Sequence, residues 1–289
     1  MNVRPPARAG SFYEVSPDAC RQHAESLLGQ ARLPGDLPPA KGGIVPHAGW
    51  VFSGRLAAMT LKAVAPPGEA DTVVFFGADH TGRVARGEVY NQGGWRTPLG
   101  VAEIDEPLAA ALIATSDALR ANPDAHTMEH SIEVQVPLLQ MLSPGAKIVP
   151  VAVPPTALSL EVGQTVGQTL MQNSPNARVI GSTDLTHHGG HFGDYLGRGE
   201  AGVRASEEND RRMLERIEAL DAEGVIAEAE ARGNACGAGA IAATIAACLE
   251  MGATSARVLE YTNSHEVMKE LQPRAGDYTT VGYASVVFV

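Results

Sequence analysis

The sequence has few cysteines: three in 289 residues, Cys20, Cys236 and Cys248. A small, odd number of cysteines cannot form a disulfide framework and is typical of a protein from a reducing compartment. The residues after Met1 form no apolar leader, and no uninterrupted apolar run reaches the length of a membrane span. We therefore expect a cytoplasmic protein without a signal peptide or membrane anchor.

Positive charge and aromatic side chains are also scarce. The formal net charge is −11, and aromatic residues make up 5% of the chain. An acidic protein is a poor partner for a nucleic-acid backbone or an anionic lipid surface, so we expect neither as the main ligand. The remaining composition, with 44% hydrophobic and 19% charged residues, is that of a globular protein with a substantial core.

Motifs of nucleotide-binding and serine-dependent enzymes are missing. No predicted strand runs directly into G-x-G-x-x-G, and the sequence contains neither G-x-x-x-x-G-K-[ST] nor G-x-S-x-G. A serine nucleophile at Ser182 therefore has little support, and so has a bound nucleotide.

Strand and helix patterns alternate along the whole chain. Short apolar runs predict strands at 42–46, 71–76, 147–153, 177–183, 256–261 and 279–289, and a hairpin within 84–100. Helical periodicity is found at 17–31, 53–64, 106–115, 125–141, 157–172, 200–230 with a break near 219–224, and 238–251. This alternation predicts an α/β fold, a single domain over residues 1–289 with a central, mostly parallel sheet flanked by helices. The apolar N-terminal residues 1–16 should lie across the surface of this body.

Titratable side chains follow three of the predicted strands. His47 follows the first strand, His80 the second, and Asp184 with His187 the fourth. Ligands gather at the carboxyl ends of strands in open parallel sheets, so these side chains are expected to meet. Two histidines with a carboxylate or thiolate make a facial metal site that leaves positions open for substrate and oxygen. Cys236 is a further candidate ligand, because it precedes a predicted helix whose N-terminus favours the thiolate.

Taken singly, each of these residues has a simpler explanation. A lone histidine after a strand is usually hydrogen-bonded in the surface or core, and a lone cysteine before an apolar helix is usually buried and inert. We assign Cys20 and Cys248 to the core and His23 to the solvated face of the first helix.

A second pattern suggests a different metal site. The residues His126-Thr-Met-Glu129-His130 fit the H-x-x-E-H motif of inverted zinc peptidases, with Glu129 as general base. However, His126 follows Asn122-Pro-Asp and is expected at or before the first helical turn, where i,i+4 geometry does not hold. The peptidase interpretation therefore ranks second.

Six segments carry a resemblance that spans nearly the whole chain. They are RPPARAGSFY at 4–13, VPHAGWVFSG at 45–54, GADH at 77–80, EHSIEVQVPL at 129–138, STDLTHHG at 182–189 and CG at 236–237. In these segments, and in this order, the sequence resembles the Memo family, whose bacterial and archaeal members are called AmmeMemoRadiSam system protein B. That family is similar in fold to the class III extradiol ring-cleaving dioxygenases, and it assigns the H-x-x-E-H residues to its own Glu-His-Ser-Ile-Glu block.

The resemblance implies roles for individual residues. It implies that His47, His80 and Cys236 are metal ligands, and that Asp184 and His187 complete the pocket as catalytic residues. In this interpretation His187 moves a proton and Asp184 orients it. It further implies that the substrate pocket is lined by His130 and Glu133.

A thiolate stands where the dioxygenases have a carboxylate, which softens the site. Iron(II) is the first expectation, with copper(I), copper(II) or zinc as alternatives. The expected function is non-haem oxidoreductase, dioxygenase-like chemistry on a small molecule with O₂. Two other classes remain open: a metal-dependent hydrolase, and a non-catalytic protein that binds a metal or a partner.

Overall fold

A computed structural model describes residues 2–271 and 278–289 of the chain. Its strands are β1 (Val3–Arg4), β2 (Gly42–Val45), β3 (Thr72–Gly77), β4 (Gly87–Val89), β5 (Gly94–Thr97), β6 (Gly100–Glu103), β7 (Leu119–Ala121), β8 (Lys147–Ala152), β9 (Arg178–Ser182), β10 (His187–His188), β11 (Ala256–Asn263) and β12 (Thr280–Phe288). Its α-helices are α1 (Pro17–Gln30), α2 (Trp50–Val64), α3 (Glu106–Thr115), α4 (Val136–Leu142), α5 (Leu158–Asn173), α6 (Gly199–Glu218), α7 (Ala222–Arg232), α8 (Ala238–Glu250) and α9 (Ser264–Leu271).

The large sheet has the order β10-β12-β2-β9-β3-β8-β4-β7, and β11 also pairs with β12. Its centre is parallel, since β2 and β3 both pair in parallel with β9, and β8 pairs in parallel with β3. The strands β12 and β4 join this centre in antiparallel orientation. The α/β class is therefore confirmed, with a sheet that is mixed rather than wholly parallel.

Full burial explains the apolar character of the central strands. All six residues of β3 are buried, as expected for a parallel strand covered on both faces. Helices α2 and α8 cover opposite faces: a Cβ at Gly42 would lie 2.6 Å from Cys248 Sγ on α8, and a Cβ at Gly43 would lie 2.5 Å from a methyl of Thr60 on α2. Glycine at both positions lets the two helices approach the sheet closely. Cys248, like Cys20, is buried, as the sequence indicated.

Most predicted elements form within one to three residues of their predicted ends, but the helix predicted at 125–141 is wrong. Two short 3-10 turns, Pro123–His126 and Glu133–Gln135, precede the α-helix α4 there. The Glu129 carboxylate accepts hydrogen bonds from its neighbours' backbone N–H groups at His130 and Ser131, both at 2.8 Å. These bonds satisfy the backbone without a helix. In the described part of the chain, no helix has both the length and the apolar character needed to cross a membrane.

The N-terminal segment is held by one buried carboxylate. Glu133 accepts a 2.7 Å ion-pair hydrogen bond from Arg4 and a 2.9 Å hydrogen bond from the Tyr13 hydroxyl. It also accepts from the backbone N–H groups of Ala7 and Arg8. The side chains of Arg4 and Glu133 are 3% and 1% exposed, so neither charge is solvated by water. The segment consequently packs into the body at a fixed position.

Replacing Glu133 by glutamine should destabilise the protein strongly. The substitution leaves the buried Arg4 guanidinium without a counter-charge, which typically costs about 3–5 kcal/mol. We expect a corresponding fall in the free energy of unfolding, measured by urea denaturation. Glu208→Gln is the matched control, because Glu208 pairs with arginines on an exposed face of α6. This substitution should leave the midpoint of urea unfolding unchanged. Equal effects of the two substitutions would contradict the anchoring role of Glu133.

Candidate metal centre

Three potential ligands converge at the carboxyl ends of the parallel strands. His47 follows β2 by two residues, His80 follows β3 by three, and Cys236 precedes α8. Their ligand atoms all lie within 4.8 Å of one another, and Cys236 Sγ is 3.2 Å from His47 Nε2. The strand β9 lies between β2 and β3 in the sheet, and residues at its end contact His47, through Ser182, and Cys236, through Asp184.

The His47 ring is oriented by two serines. Ser182 Oγ donates its proton to the Ser131 carbonyl oxygen at 2.7 Å, so it can only accept from His47 Nδ1–H, which lies at 3.0 Å. The proton is thereby fixed on Nδ1, and Nε2 presents its lone pair toward Cys236. Burial lowers the pKa of His47, with the neighbouring His80 and His130 acting in the same direction. The ring is therefore neutral, as metal binding requires.

The His80 ring is oriented by Glu129. Its Nδ1 donates to Glu129 Oε1 at 3.0 Å, and its backbone N–H donates to the other carboxylate oxygen at 2.8 Å. A carboxylate behind a histidine in this way raises the basicity of the opposite nitrogen. Burial opposes protonation of His80, but hydrogen bonds with Cys236 and Glu129 outweigh it and raise its pKa to about 10.

Two hydrogen bonds with Asp184, just beyond β9, hold Cys236, one through its backbone N–H and one through its side chain. Its N–H donates to the Asp184 carbonyl oxygen at 3.2 Å, and its Sγ accepts from the Asp184 N–H at 3.3 Å. Close approach requires glycine at the next position, since a Cβ at Gly237 would lie 2.5 Å from the Ser182 carbonyl oxygen. Burial raises the pKa of the Cys236 thiol. The metal-free pair of His80 and Cys236 therefore retains at least one proton at neutral pH.

The donor set fits a transition metal. Two imidazoles with occupied Nδ1 atoms and one thiol offer Nε2, Nε2 and Sγ, which suits iron, copper or zinc and leaves further positions open. A second group, His80, Glu129 and His130, also has ligand atoms within 4.8 Å of one another. However, the rings of His80 and His130 are stacked with an interplanar angle of 27°, so their lone pairs lie in nearly parallel planes and are poorly placed to meet at one ion. The first group is the better candidate.

His187 and Asp184 lie at the same cavity but are not paired with each other. His187 Nδ1 donates to the Leu185 carbonyl oxygen at 2.9 Å, which leaves Nε2 as the acceptor. Burial lowers the pKa of His187. The Asp184 carboxylate instead accepts from the His47 backbone N–H at 2.7 Å, and burial raises its pKa to about 7. The expectation that Asp184 orients His187 is thus corrected: the Leu185 carbonyl group does so.

The two residues expected to line the substrate pocket lie in different surroundings. His130 lines the cavity, and the Phe12 ring packs edge-on against it with ring centroids 5.0 Å apart. Burial lowers the pKa of His130 to about 4. The Glu133 carboxylate points to the N-terminal segment instead, and its four hydrogen-bond donors leave it no role at the cavity wall. The resemblance implied that both residues line one pocket, but only His130 is part of the cavity lining.

The cavity in front of these ligands has a volume of about 620 Å³ and a largely apolar wall. That volume is within the usual range for small-molecule sites. Its apolar wall consists mainly of Phe12, Val51, Phe52, Phe192, Val281 and Tyr283. The N-terminal segment and α2 therefore complete a pocket that the strand ends alone leave open.

The inverted zinc-peptidase interpretation is wrong for this chain. His126 is fully buried, and its Nε2 donates to the Glu88 carbonyl oxygen at 2.8 Å. Burial lowers the pKa of His126 to about 4. Since its ring faces the core beside β4, it does not share a metal with His130.

The sequence did not predict the orienting role of several residues at the site. Glu129 was noted only as a possible general base, whereas its carboxylate accepts from the His80 ring, and the Ser131 carbonyl oxygen accepts from Ser182. His23, expected in solvent, lines the cavity, where its Nδ1 lies 2.7 Å from Glu14 Oε1. His188 Nε2 hydrogen-bonds to the Gly197 carbonyl oxygen at 3.0 Å.

Comparison with known proteins gives a consistent family assignment. The sequence matches the family described as "Memo-like protein" over residues 4–287. It is 38% identical to a MEMO1 family protein of Methanopyrus kandleri, with 99% of this chain and 98% of the relative covered. The chain is 36% identical to a MEMO1 family protein of Methanothermobacter thermautotrophicus, with 98% of this chain and 99% of the relative covered. It is 34% identical to a MEMO1 family protein of Pyrococcus abyssi, with 99% of both chains covered. With matches of this extent, the chain belongs to the Memo-like family.

Proposed function

We propose that this protein binds a transition metal, iron(II) in the first place, at His47, His80 and Cys236, and performs oxidoreductase chemistry on a small molecule with O₂. The observation that carries the proposal is the convergence of two imidazoles and one Sγ atom beside a largely apolar cavity that His47 and His80 line. When bound, iron at such a site supplies open coordination positions and redox chemistry toward substrate and O₂. The resemblance to the extradiol dioxygenases supports the same choice, and the free thiol is consistent with a cytoplasmic protein.

The residues of the chain itself would bind the substrate and move its proton. His187 holds an unprotonated Nε2 at the cavity wall, because its Nδ1 proton is engaged by Leu185. It is therefore placed to take a proton from a substrate hydroxyl as general base. Asp184 fixes the backbone of His47 by accepting from its N–H at 2.7 Å, and apolar side chains make up much of the surrounding wall. This assignment keeps both catalytic residues expected from the sequence and gives Asp184 a positioning role.

Ser182→Ala should weaken metal binding. It removes the acceptor that holds His47 Nδ1–H, and the loss of such an orienting partner typically costs about 10–100-fold in metal affinity. Competition with a chelator measures the dissociation constant. Ser143→Ala is the control, because this buried serine hydroxyl also donates to a carbonyl group, that of Ala65 at 2.9 Å, outside the site. Unchanged affinity in Ser182→Ala would contradict the orienting role.

Metal affinity should rise with pH. The raised pKa of about 10 for metal-free His80 means that a proton occupies the site throughout the neutral range. Metal binding must displace this proton and any proton on the thiol, so the apparent affinity should increase at least about tenfold per pH unit between pH 6 and 8. Competition titrations corrected for chelator protonation, together with calorimetry in buffers of different ionisation enthalpy, measure the released proton. An affinity that does not depend on pH would contradict a protonated His80–Cys236 pair.

Iron(II)-loaded protein should consume O₂ in the presence of a catechol or other enediol. His187→Gln should slow this reaction by about 10²–10⁴-fold through loss of the general base, while its iron content stays unchanged. His47→Ala and His80→Ala should lose both iron and oxygen uptake, as measured by metal analysis and an oxygen electrode.

The other outcomes separate the alternative functions. Metal-dependent cleavage of esters or amides without oxygen uptake would identify a hydrolase. Stoichiometric metal binding without any turnover would identify a binding protein. Full metal content in both His47→Ala and His80→Ala would show that the site lies elsewhere.

A further inference from the structure

We propose that Asp210 is a positioning residue for His187 and acts through the peptide group that joins Leu185 to Thr186. The carboxylate holds the N–H side of this peptide group, and the C=O side holds the His187 ring. Asp210 lies on α6, is 1% exposed and does not line the cavity, so it acts without touching a substrate. This role deepens the function proposed above and rests on it, because His187 is there the general base.

The first observation is a pair of hydrogen bonds on opposite sides of one peptide group. The Thr186 N–H donates to Asp210 Oδ1 at 2.7 Å, and the Leu185 carbonyl oxygen accepts from His187 Nδ1 at 2.9 Å. The N–H and C=O of a trans peptide belong to one planar, resonance-coupled unit. A carboxylate bound to the N–H polarises the C=O and thereby strengthens its bond to the imidazole. Asp210 thus supports the proton on Nδ1 and the lone pair on Nε2.

The second observation is that the other polar groups of the same two residues are also held. The Thr186 hydroxyl oxygen accepts from Asn209 Nδ2 at 3.1 Å, and the Thr186 carbonyl oxygen accepts from the Gly282 N–H at 3.1 Å. The Leu185 N–H donates to the Gly282 carbonyl oxygen at 2.8 Å. Glycine at 282 makes room for the acid, since a Cβ there would lie 2.0 Å from Asp210 Oδ2. The peptide group that carries the acceptor for His187 is therefore fixed in its orientation.

The third observation is that the Asp210 carboxylate is buried against neutral groups. Its Oδ1 accepts from the Thr186 N–H, and its Oδ2 accepts from the Tyr261 hydroxyl at 2.7 Å. Burial, with a smaller contribution from Glu207, raises the pKa of Asp210 to about 7 against these hydrogen bonds. Neutral donors offset the cost of burying a carboxylate only in part, which favours a role beyond stability.

Nitrogen NMR of the His187 ring in the metal-free full chain tests this role, because it distinguishes the two neutral tautomers. The His187 signals are identified by their loss in His187→Gln. At about pH 8.5, where both Asp210 is ionised and His187 is neutral, the wild type should show the Nδ1–H tautomer alone. Asp210→Ala should add the Nε2–H tautomer. In iron(II)-loaded protein, the same variant should lower kcat for oxygen uptake about 10- to 100-fold at unchanged iron content.

Two matched variants separate positioning from a general loss of stability. In Asp210→Asn the amide oxygen must face the Thr186 N–H, because that group only donates. This variant should keep the Nδ1–H tautomer, shift its proton resonance upfield, and have a kcat above that of Asp210→Ala. Tyr261→Phe removes the other hydrogen bond of Asp210 and should leave the His187 tautomer and kcat unchanged.

The role of Asp210 is refuted if Asp210→Ala keeps the single Nδ1–H tautomer, whatever its kcat. Should Asp210→Ala not fold, an Nδ1–H resonance of Asp210→Asn at the wild-type position refutes it equally. The NMR measurement requires neither iron nor turnover. If iron-loaded protein consumes no O₂ while the tautomer responds to Asp210, the proposed oxidoreductase function is wrong and the positioning of His187 by Asp210 stands.

Discussion

The end of β9 is the constraint on which the rest of the site depends. Thr183 N–H pairs with the Val45 carbonyl oxygen of β2, and Thr183 Oγ1 accepts from the Gly237 N–H at the start of α8. Through these bonds one short segment fixes the loop that carries His47 and the turn that carries Cys236. Parallel pairing of β9 with β3 brings the third ligand, His80, to the same edge. The backbone segments that carry the ligands are therefore held by hydrogen bonds to buried groups of β9 and the residue after it.

Orientation of the ligands follows from a second layer of polar groups. Ser182 sets the proton of His47, and Glu129 sets that of His80, so both rings present Nε2 to the thiol. The same Glu129 replaces helical hydrogen bonds in its own segment. The neighbouring Glu133 holds the N-terminal segment that closes the cavity. Glu129 and Glu133, two buried acids of the same segment, thus connect the metal centre to the N-terminal residues of the cavity wall.

The sequence predicted those features that depend on local pattern. Fully apolar strands such as β3, and a histidine just beyond each of two strand ends, were enough to place His47 and His80 at one edge of the sheet. The contact between Cys236 and Asp184 joins residues 52 positions apart and has no local signature. The same holds for His23, whose position at the cavity depends on how α1 packs against Trp50. Its position before a predicted helix made Cys236 a candidate ligand, and the resemblance then joined it to the two histidines as one ligand set.

X-ray absorption spectroscopy of the iron-loaded protein tests the central claim most directly. If His47, His80 and Cys236 hold the metal, the spectrum should show one sulfur neighbour and two imidazole rings, with oxygen donors at the remaining positions. Cys236→Ser should remove the sulfur contribution. A first shell of nitrogen and oxygen alone in the wild-type protein would contradict the account.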